Sequence, residues 1–210
     1  MRERGGSEPN ELVRDLTRAL ARFAKIEPEH LAPSTVELFA RYVRRVRYAP
    51  GETIFREHEV CRDIVILASG LVRAFYVHEA REVNLRFLCS PSIATAMASL
   101  VTGAPAEETV AAVTEVTGFR ARWLDFEEAN PGLAIERMRR TLAEAHYLSM
   151  ERRLRMLQGK SARERYAYFL AHMEPEIVQS MPGYHVASYL GVTPESLSRV
   201  RVARRSSRRD

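Results

Sequence analysis

The chain changes its hydrophobic period at Asn130-Pro131-Gly132, from that of strands to that of a helix, and this change limits what it can fold into. Between residues 44 and 124 the apolar side chains come in short runs, separated by turn-forming pairs such as Pro50-Gly51 and Ser69-Gly70. After Gly132 they recur at near-helical spacing. Strands gathered in one segment and helices in the next predict an α+β fold, with an antiparallel β-roll or barrel ahead of a helical region.

The β-rich segment predicts seven strands: Arg44 to Tyr48, Thr53 to Phe55, Ile64 to Leu67, Leu71 to Val77, Val83 to Leu88, Thr109 to Val116 and Phe119 to Leu124. Alternation is clearest at the first and last of these, in VRRVRY (43–48) and FRARWL (119–124). Ile93 to Val101 predicts a short helix. Ahead of the roll, apolar residues between Leu12 and Phe23 predict one flanking helix, and a second is expected to start near Ser34.

The helical run after Gly132 continues for about 26 residues, to Gly159, which corresponds to about 40 Å. It carries an intermittent apolar stripe that includes Met138, Leu142, Ala145 and Leu148. Two interpretations remain open for this stripe. It could pack against a second copy of the same helix in a homodimer, or it could hold the helix across the roll of its own chain.

Charge is divided unevenly along the chain. Residues 151–210 carry 12 Lys/Arg against 6 Asp/Glu, whereas residues 1–150 carry 20 against 21. A basic terminal segment that follows a nearly neutral one is typical of a nucleic-acid-binding region joined to a domain with another role. The alternative is a basic surface that is only solvated.

Other classes of protein are disfavoured by what the sequence contains. No apolar run approaches the roughly 18 residues of a membrane span, so a cytoplasmic location without a membrane partner is expected. Cys61 and Cys89 are the two cysteines, too few for a four-cysteine zinc or iron–sulfur site. They are interpreted as small buried hydrophobic residues, with an oxidation response as the alternative. No cofactor, metal site or catalytic set is predicted, so the chain is not expected to be an enzyme.

The stretch HVASYLGVTPESLSRV, which begins at His185, has the residues that a helix-turn-helix requires. Ala187 is small enough for two helices to approach closely, and Gly191 can adopt a positive φ between them. Thr193 is positioned to cap the second helix, with Pro194 at its first turn, where a missing N–H costs nothing. The shared apolar core is expected to contain Val186, Leu190, Val192, Leu197 and Val200.

The second helix of this motif would place Glu195, Ser198 and Arg199 on one face. Arginine can donate two hydrogen bonds to guanine and a carboxylate can accept from cytosine, so this face can read G·C steps in a major groove. An i,i+4 ion pair between Glu195 and Arg199 on a solvated helix is the alternative. The candidate DNA-contacting set is Thr193, Glu195, Ser196, Ser198, Arg199, Arg201, Arg204 and Arg205. Arg208 and Arg209 extend its basic tail, which could neutralise phosphates or be disordered.

The segments YAPGETIF, DIVILASGLVRAFY, SARERYAYFL and HVASYLGVTPESLSRVR together resemble the Crp/Fnr family of bacterial transcription regulators over about residues 34–205. The resemblance implies a cyclic-nucleotide-binding-like effector domain (11–130), a long dimerisation helix (131–158) and a helix-turn-helix DNA-binding domain (160–210). The E-x-x-S-R pattern at Glu195, Ser198 and Arg199 looks like the fumarate–nitrate regulator branch and suggests a TTGAT-like half-site. Pro194 stands where the cyclic-AMP receptor branch carries a base-reading arginine. The family's usual β-wing after the second helix is expected to be reduced or absent.

The effector pocket departs from the family's pattern. The resemblance places the phosphate-gripping Gly-Glu pair at about Thr95 and Ala96, and the Arg-Ser pair at about Ala106 and Glu107. Because the arginine is absent and Glu107 is followed by Glu108, a cyclic phosphate is expected to meet negative charge, and no cyclic-nucleotide binding is predicted. Haem sensing would need an axial histidine; His78 is a candidate, but a surface role is favoured for it.

The sequence therefore predicts a homodimeric regulator that binds a palindromic site in double-stranded DNA and contacts RNA polymerase. An unidentified small-molecule effector is a candidate further partner; the alternative is that the regulator acts without one. The alternative function is a ligand-binding signalling module of the same fold, in which the helix-turn-helix contacts protein instead of DNA.

Overall fold

A computed structural model of the protein describes residues 8–206, with side chains from Glu11 to Arg204 apart from Ala134. The chain begins with helix α1 (Glu8–Ala24), a 3-10 turn (Pro28–His30) and helix α2 (Pro33–Ala40). Leu16 of α1 and Phe39 of α2 are fully buried against the roll. The two flanking helices predicted from apolar spacing are confirmed.

Eight strands follow: β1 (Val43–Tyr48), β2 (Thr53–Phe55), β3 (Ile64–Ser69), β4 (Leu71–His78), β5 (Arg81–Cys89), β6 (Ile93–Ala94), β7 (Thr109–Ala112) and β8 (Val116–Ala121). They form two four-stranded sheets with the orders β1-β8-β3-β6 and β2-β7-β4-β5. Every pair between them is antiparallel, so the predicted antiparallel roll is confirmed.

Gly70 makes the turn between β3 and β4 possible. Its φ is +92°, and a Cβ there would lie 2.2 Å from the carbonyl oxygen of Glu115. Only glycine satisfies both conditions, because other residues disfavour positive φ and carry the atom that would collide.

Three predicted elements differ from the structure. The segment Ile93 to Val101 is strand β6 followed by helix α3 (Met97–Thr102), and the predicted strand Thr109 to Val116 is divided between β7 and β8. The last predicted strand ends at Ala121, where helix α4 (Trp123–Ala129) begins. The reason lies in Trp123 and Phe126, which both pack edge-on against Phe39. Because they are three residues apart, they share one face in a helix, whereas in a strand they would point to opposite faces.

Helix α5 (Leu133–Leu157) is the long helix that the sequence predicts. Its two sides have different environments. Ile135 and Leu142 are buried in the core of their own roll, and Met156 is buried among the C-terminal helices. On the opposite side, Tyr147, Leu148 and Leu154 are exposed.

Four helices complete the described chain: α6 (Ala162–His172), α7 (Pro175–Ser180), α8 (Gly183–Leu190) and α9 (Pro194–Ser206). Ser161 and Glu164 form a reciprocal capping box at the start of α6, which confirms the predicted cap. Between Trp123 and Ser206 the described chain contains no strand. No helix in the described part is long and apolar enough to cross a membrane.

Candidate nucleic-acid interface and effector pocket

Helices α8 and α9 form the tight helical pair that the sequence predicts. Gly191 has a φ of +64°, and its N–H donates to the Ser188 carbonyl at 3.1 Å. The Val192 N–H donates to the Ala187 carbonyl at 3.0 Å, which completes a Schellman-type C-cap. Ala187 and Leu190 are fully buried at the helix junction, and Leu197 of α9 closes the same core.

The N-terminus of α9 is organised by its own side chains. The Thr193 hydroxyl accepts from the Ser196 N–H at 3.2 Å, as expected of a cap, and Pro194 occupies the first helical position. The pKa of the Glu195 carboxyl is lowered, first by its own backbone N–H, then by the Thr193 hydroxyl and also by the Arg199 charge. Glu195 is therefore ionised and available as an acceptor at neutral pH.

The three predicted base-reading side chains lie together and are solvent-exposed: Glu195, Ser198 and Arg199. Arg199 donates from Nη2 to the Ser196 hydroxyl at 3.2 Å. No salt bridge joins Arg199 to Glu195 among the described side chains, so the alternative of a helical ion pair is not formed here. The guanidinium retains donors for a ligand.

The basic residues further along α9 lie elsewhere. Arg201 is half-buried, with its guanidinium 5.5 Å from the Tyr166 ring centroid, and with Arg204 it lines a groove formed by α6, α7 and α9. Neither shares the exposed face of Glu195. The side chains of Arg205, Arg208 and Arg209 lie outside the described part.

The predicted effector-pocket residues are largely inaccessible. Thr95, Ala96 and Ala106 are buried, and the Thr95 hydroxyl donates to the Asp63 carbonyl at 3.0 Å. Glu107 is exposed, so it does not supply the predicted negative charge inside the pocket. The buried acid is Glu108, and it is paired with Arg86 of β5.

Arg86 is the pocket residue that sequence reasoning missed. Its guanidinium is 5% exposed and donates to Glu108 Oε1 at 2.5 Å and to the Thr95 carbonyl at 3.2 Å. It also donates to Nδ1 of His146, on α5, at 2.9 Å. Because a guanidinium cannot accept, His146 must be neutral. Burial, and next the Arg86 charge, lowers the pKa of His146 to about 4.

A cavity of about 160 Å³ lies beside this cluster, at the junction of β5, α5 and α6. Arg86 and His146 border it on the roll side and Phe169 on the α6 side. Cys89 also lines it, and burial, followed by the charges of Glu174 and Glu176, raises the pKa of the Cys89 thiol to about 11. A thiol with that pKa is unreactive at neutral pH.

The β4–β5 hairpin docks on helix α8, and we call this contact the hairpin clasp. The Ser188 hydroxyl donates to the Glu82 carbonyl at 2.8 Å and accepts from the Asn84 N–H at 3.0 Å. Arg153 of α5 donates to the Asn84 carbonyl at 2.8 Å. The roll thus touches the first helix of the helical pair directly.

His185 of α8 lies inside the clasp and is buried. Arg73 and Asn84 both approach its Nδ1 at 3.4 Å, and Arg73 is ion-paired with Glu82 at 2.6 Å. Two donors on Nδ1 require the neutral ring. Burial, and next the Arg73 charge, lowers the pKa of His185 to about 4.

The candidate haem ligand lies at the tip of the hairpin. The side chain of His78 is 69% exposed at the end of β4, next to a two-residue turn at Glu79 and Ala80. This position favours the surface role. Cys61 and Cys89 are unpaired and buried, which agrees with the hydrophobic interpretation.

The sequence is similar to a known domain family and to a known protein. Residues 45–129 match the cyclic nucleotide-binding domain family. The chain is 27% identical over 179 residues to the transcriptional activatory protein AadR of Rhodopseudomonas palustris, a match that covers 80% of this chain and 74% of AadR.

Solved structures share the architecture of the chain. FixK2 from Bradyrhizobium japonicum superposes with a TM-score of 0.68 at 19% identity, over 79% of this chain and 85% of FixK2. The c-di-GMP-responsive regulator CLP of Xanthomonas campestris gives 0.66 at 17% identity, over 84% and 93%. A crp/fnr-family regulator from Eubacterium rectale gives 0.65 at 16% identity, over 82% of both chains. The Crp/Fnr resemblance is confirmed for the cyclic nucleotide-binding domain and for the fold.

Proposed function

We propose that this chain is a sequence-specific DNA-binding transcription regulator that acts as a homodimer. The observation that carries the proposal is the exposed face of α9, where Glu195, Ser198 and Arg199 lie together beside a left-handed turn at Gly191. The similarity to AadR and to structurally characterised regulators supports the same function.

In this proposal, the N-terminal half of α9 enters the major groove. Arg199 donates two hydrogen bonds to O6 and N7 of a guanine, and Glu195 accepts from N4 of a nearby cytosine. The exposed Thr193 and Ser198 hydroxyls lie at the same end and can contact either bases or phosphates. A TTGAT-like half-site contains the G·C pair that this arrangement needs.

Phosphate contacts are assigned to the basic residues of α9 that follow this face. Arg204 and Arg205 are the candidates nearest the end of the described helix. Arg201 can contribute only if its side chain leaves the Tyr166 ring. Such contacts raise affinity and its salt dependence without reading sequence.

Helix α5 supplies the proposed dimer interface. Of the four residues predicted for it, Leu148 is 52% exposed and Ala145 is exposed, whereas Leu142 is 7% exposed and Met138 is partly buried in the roll core. Leu142 therefore belongs to the protomer core, because its turn of the helix faces the roll. The proposed interface uses Leu148 with the exposed Tyr147 and Leu154. A two-fold axis here would present two α9 helices to a palindromic site, as the half-site spacing of helix-turn-helix dimers requires.

The proposed regulator does not use a cyclic nucleotide. Ala96 and Ala106 offer no polar side chain to a phosphate, and the only acid buried in the pocket, among the described residues, is already bound to Arg86. A contact with RNA polymerase remains part of the proposal, and the regulator either responds to an effector of another kind or acts without one. The chain is divided, as proposed from the sequence, into residues 11–130, 131–158 and 160–210.

The test is fluorescence anisotropy with two labelled duplexes that differ only in their half-sites, one a TTGAT palindrome and the other a scrambled sequence. We expect tighter binding to the palindrome, and we expect calorimetry with cyclic AMP to show no heat of binding. Equal affinity for both duplexes over a range of salt concentrations would favour the signalling-module alternative, in which α9 contacts protein.

A further inference from the structure

Arg86 joins three separate parts of the molecule through one guanidinium group. It projects from β5, donates to Glu108 ahead of β7 and to the Thr95 carbonyl between β6 and α3, and reaches His146 on α5. Arg86, Glu108, His146 and the Thr95 carbonyl are called the Arg86 cluster below. Among the described hydrogen bonds and ion pairs, these are the polar links between the effector pocket and the long helix.

The cluster occupies space that a pocket would offer to a ligand. Thr95 and Ala106 mark the two segments where an effector's phosphate would be held. The Arg86 guanidinium donates to the Thr95 carbonyl, in the first segment. Glu108, which it also contacts, lies two residues after Ala106, in the second segment. Glu108 is 9% exposed and Arg86 is 5% exposed, so both charges are removed from water. Each makes the burial of the other tolerable, because an unpaired buried charge is strongly unfavourable.

The polar contact between the effector pocket and α5 also depends on the Arg86 guanidinium. His146 has to be neutral to accept from Arg86, and its lowered pKa keeps it so throughout the neutral range. Leu142, one turn earlier on α5, is buried in the roll core. This hydrophobic contact and the Arg86–His146 hydrogen bond therefore hold two adjacent turns of α5 against the roll. The same helix ends at Leu157, close to the α8–α9 pair, since Leu157 packs in the same core as Leu190 and Leu197.

We propose that the Arg86–Glu108 pair is a built-in occupant of the effector pocket, and that it fixes α5 in the DNA-binding arrangement without a small molecule. The inference rests on the proposed DNA-binding function. Arg86 is in this sense a positioning residue: it touches no DNA and acts through His146 and α5.

The main test is removal and chemical replacement of the guanidinium. Arg86→Ala leaves a hole beside Glu108, and methylguanidinium is the soluble cation whose shape and charge match the missing group. We expect Arg86→Ala to weaken binding to the palindromic duplex by about tenfold or more, as is typical when a coupling between sites is lost. Millimolar methylguanidinium is expected to restore most of the affinity, whereas methylammonium at the same ionic strength is not.

Arg120→Ala is the matched control. Arg120 belongs to the same roll and pairs with Asp63 at 2.6 Å, and its other hydrogen bonds go to Tyr48 and Ile54, none of which is on α5. This variant is expected to lower the melting temperature and to leave DNA affinity within about twofold, since the surrounding fold is retained. Wild-type protein with methylguanidinium controls for an effect of the cation on DNA.

If Arg86→Ala does not fold, His146→Leu tests the connection between Arg86 and α5. It leaves the buried ion pair in place and removes only the acceptor on α5. Weaker DNA binding by this variant supports the proposal, and wild-type affinity overturns it. The proposal is also overturned if Arg86→Ala folds and binds DNA as the wild type does, or if its lost affinity is not restored by methylguanidinium.

A readout without DNA separates this inference from the proposed function. Amide hydrogen exchange over residues 142–150 is expected to be faster in Arg86→Ala and slower again with methylguanidinium. If the wild type shows no sequence-specific DNA binding, the proposed function fails and hydrogen exchange still tests the connection between pocket and helix. Unchanged exchange in the variant contradicts the connection itself.

Discussion

At the scale of single residues, the exposed end of α9 and the buried polar groups behind it have different roles. Glu195 and Arg199 are exposed and retain hydrogen-bonding capacity, as base-reading side chains need. Arg86 and His185 are buried and hydrogen-bonded to protein groups. Substitutions of the exposed residues Glu195 and Arg199 should change DNA recognition. Substitutions of the buried residues Arg86 and His185 should change protein stability or the arrangement of the helices and strands.

Arg199→Ala should cost about 1–3 kcal/mol on the specific site, because one bidentate contact to guanine is lost. Binding to random duplex should change little. Anisotropy titrations on both duplexes measure this, with Arg56→Ala as the control, since Arg56 is an exposed arginine of the roll and its removal changes the net charge equally. An equal loss on both duplexes would show that Arg199 contacts phosphate only.

Stability should fall as the pH is lowered from about 6.5 to about 4, because His185 is neutral in the folded state and protonated in the unfolded state over this window. Well above pH 6.5 the ring is neutral in both states and contributes no pH dependence. Protonation would place a cation against Arg73 and remove the acceptor that Arg73 and Asn84 share.

Urea denaturation at several pH values measures this effect. His185→Gln keeps an acceptor oxygen and cannot titrate, so its free energy of unfolding should fall less steeply over the same window. His146 titrates in the same direction and continues to contribute in that variant. Identical pH profiles for the two proteins would contradict the assignment to His185.

At the scale of helices and strands, the sequence predicts the structures that neighbouring residues determine, but not the contacts between segments that are distant in the chain. Gly191, Thr193 and Pro194 lie next to the turn that they determine, so the pair α8–α9 could be predicted from the sequence. Arg86 lies in VNLRFLC, where alternation places a charged residue on the outer face, yet it points inward. The β4–β5 register shifts between Ala74 and Phe75, leaving Leu85 unpaired, and no local pattern indicates this bulge.

The two sides of α5 show the same limit. Its length and bounds follow from helical spacing, but Leu142 and Leu148 are apolar residues of the same stripe and only the position of the roll distinguishes them. The sequence does not indicate the helix Trp123–Ala129, because FRARWL alternates like a strand as far as Trp123. The packing of Trp123 and Phe126 on Phe39, about 85 positions earlier in the chain, decides the outcome.

Gly191→Ala should destabilise the protein by about 1 kcal/mol or more, because the left-handed conformation disfavours a Cβ. The added atom would also lie 3.2 Å from Nη1 of Arg165, which donates to the Leu190 carbonyl. Thermal denaturation measures the loss. Gly191→Asn should lose less, since asparagine tolerates positive φ better, and equal losses would indicate that the Arg165 contact dominates.

At the scale of the whole molecule, the proposed function requires two copies of the chain joined along α5. Leu148→Glu should convert the dimer to monomers without loss of protomer stability, because this side chain is 52% exposed in the protomer. Leu142→Ala should instead cost about 2–5 kcal/mol of folding stability, since Leu142 is buried in the roll core.

Sedimentation velocity and thermal denaturation of the two variants separate these effects. A monomeric Leu148→Glu protein should also lose affinity for a palindrome more than for a single half-site. If Leu148→Glu sediments as the wild type does, the dimer interface lies elsewhere.

Sequence reading by α9 is tested by selection of randomised duplex DNA with the purified wild-type protein, without added ligand and at near-physiological salt. We expect enrichment of a palindrome whose half-sites contain a G·C pair and lie about one helical turn apart, as two α9 helices related by a two-fold axis require. The absence of any enriched sequence, with only salt-sensitive binding to all duplexes, would contradict sequence reading by α9.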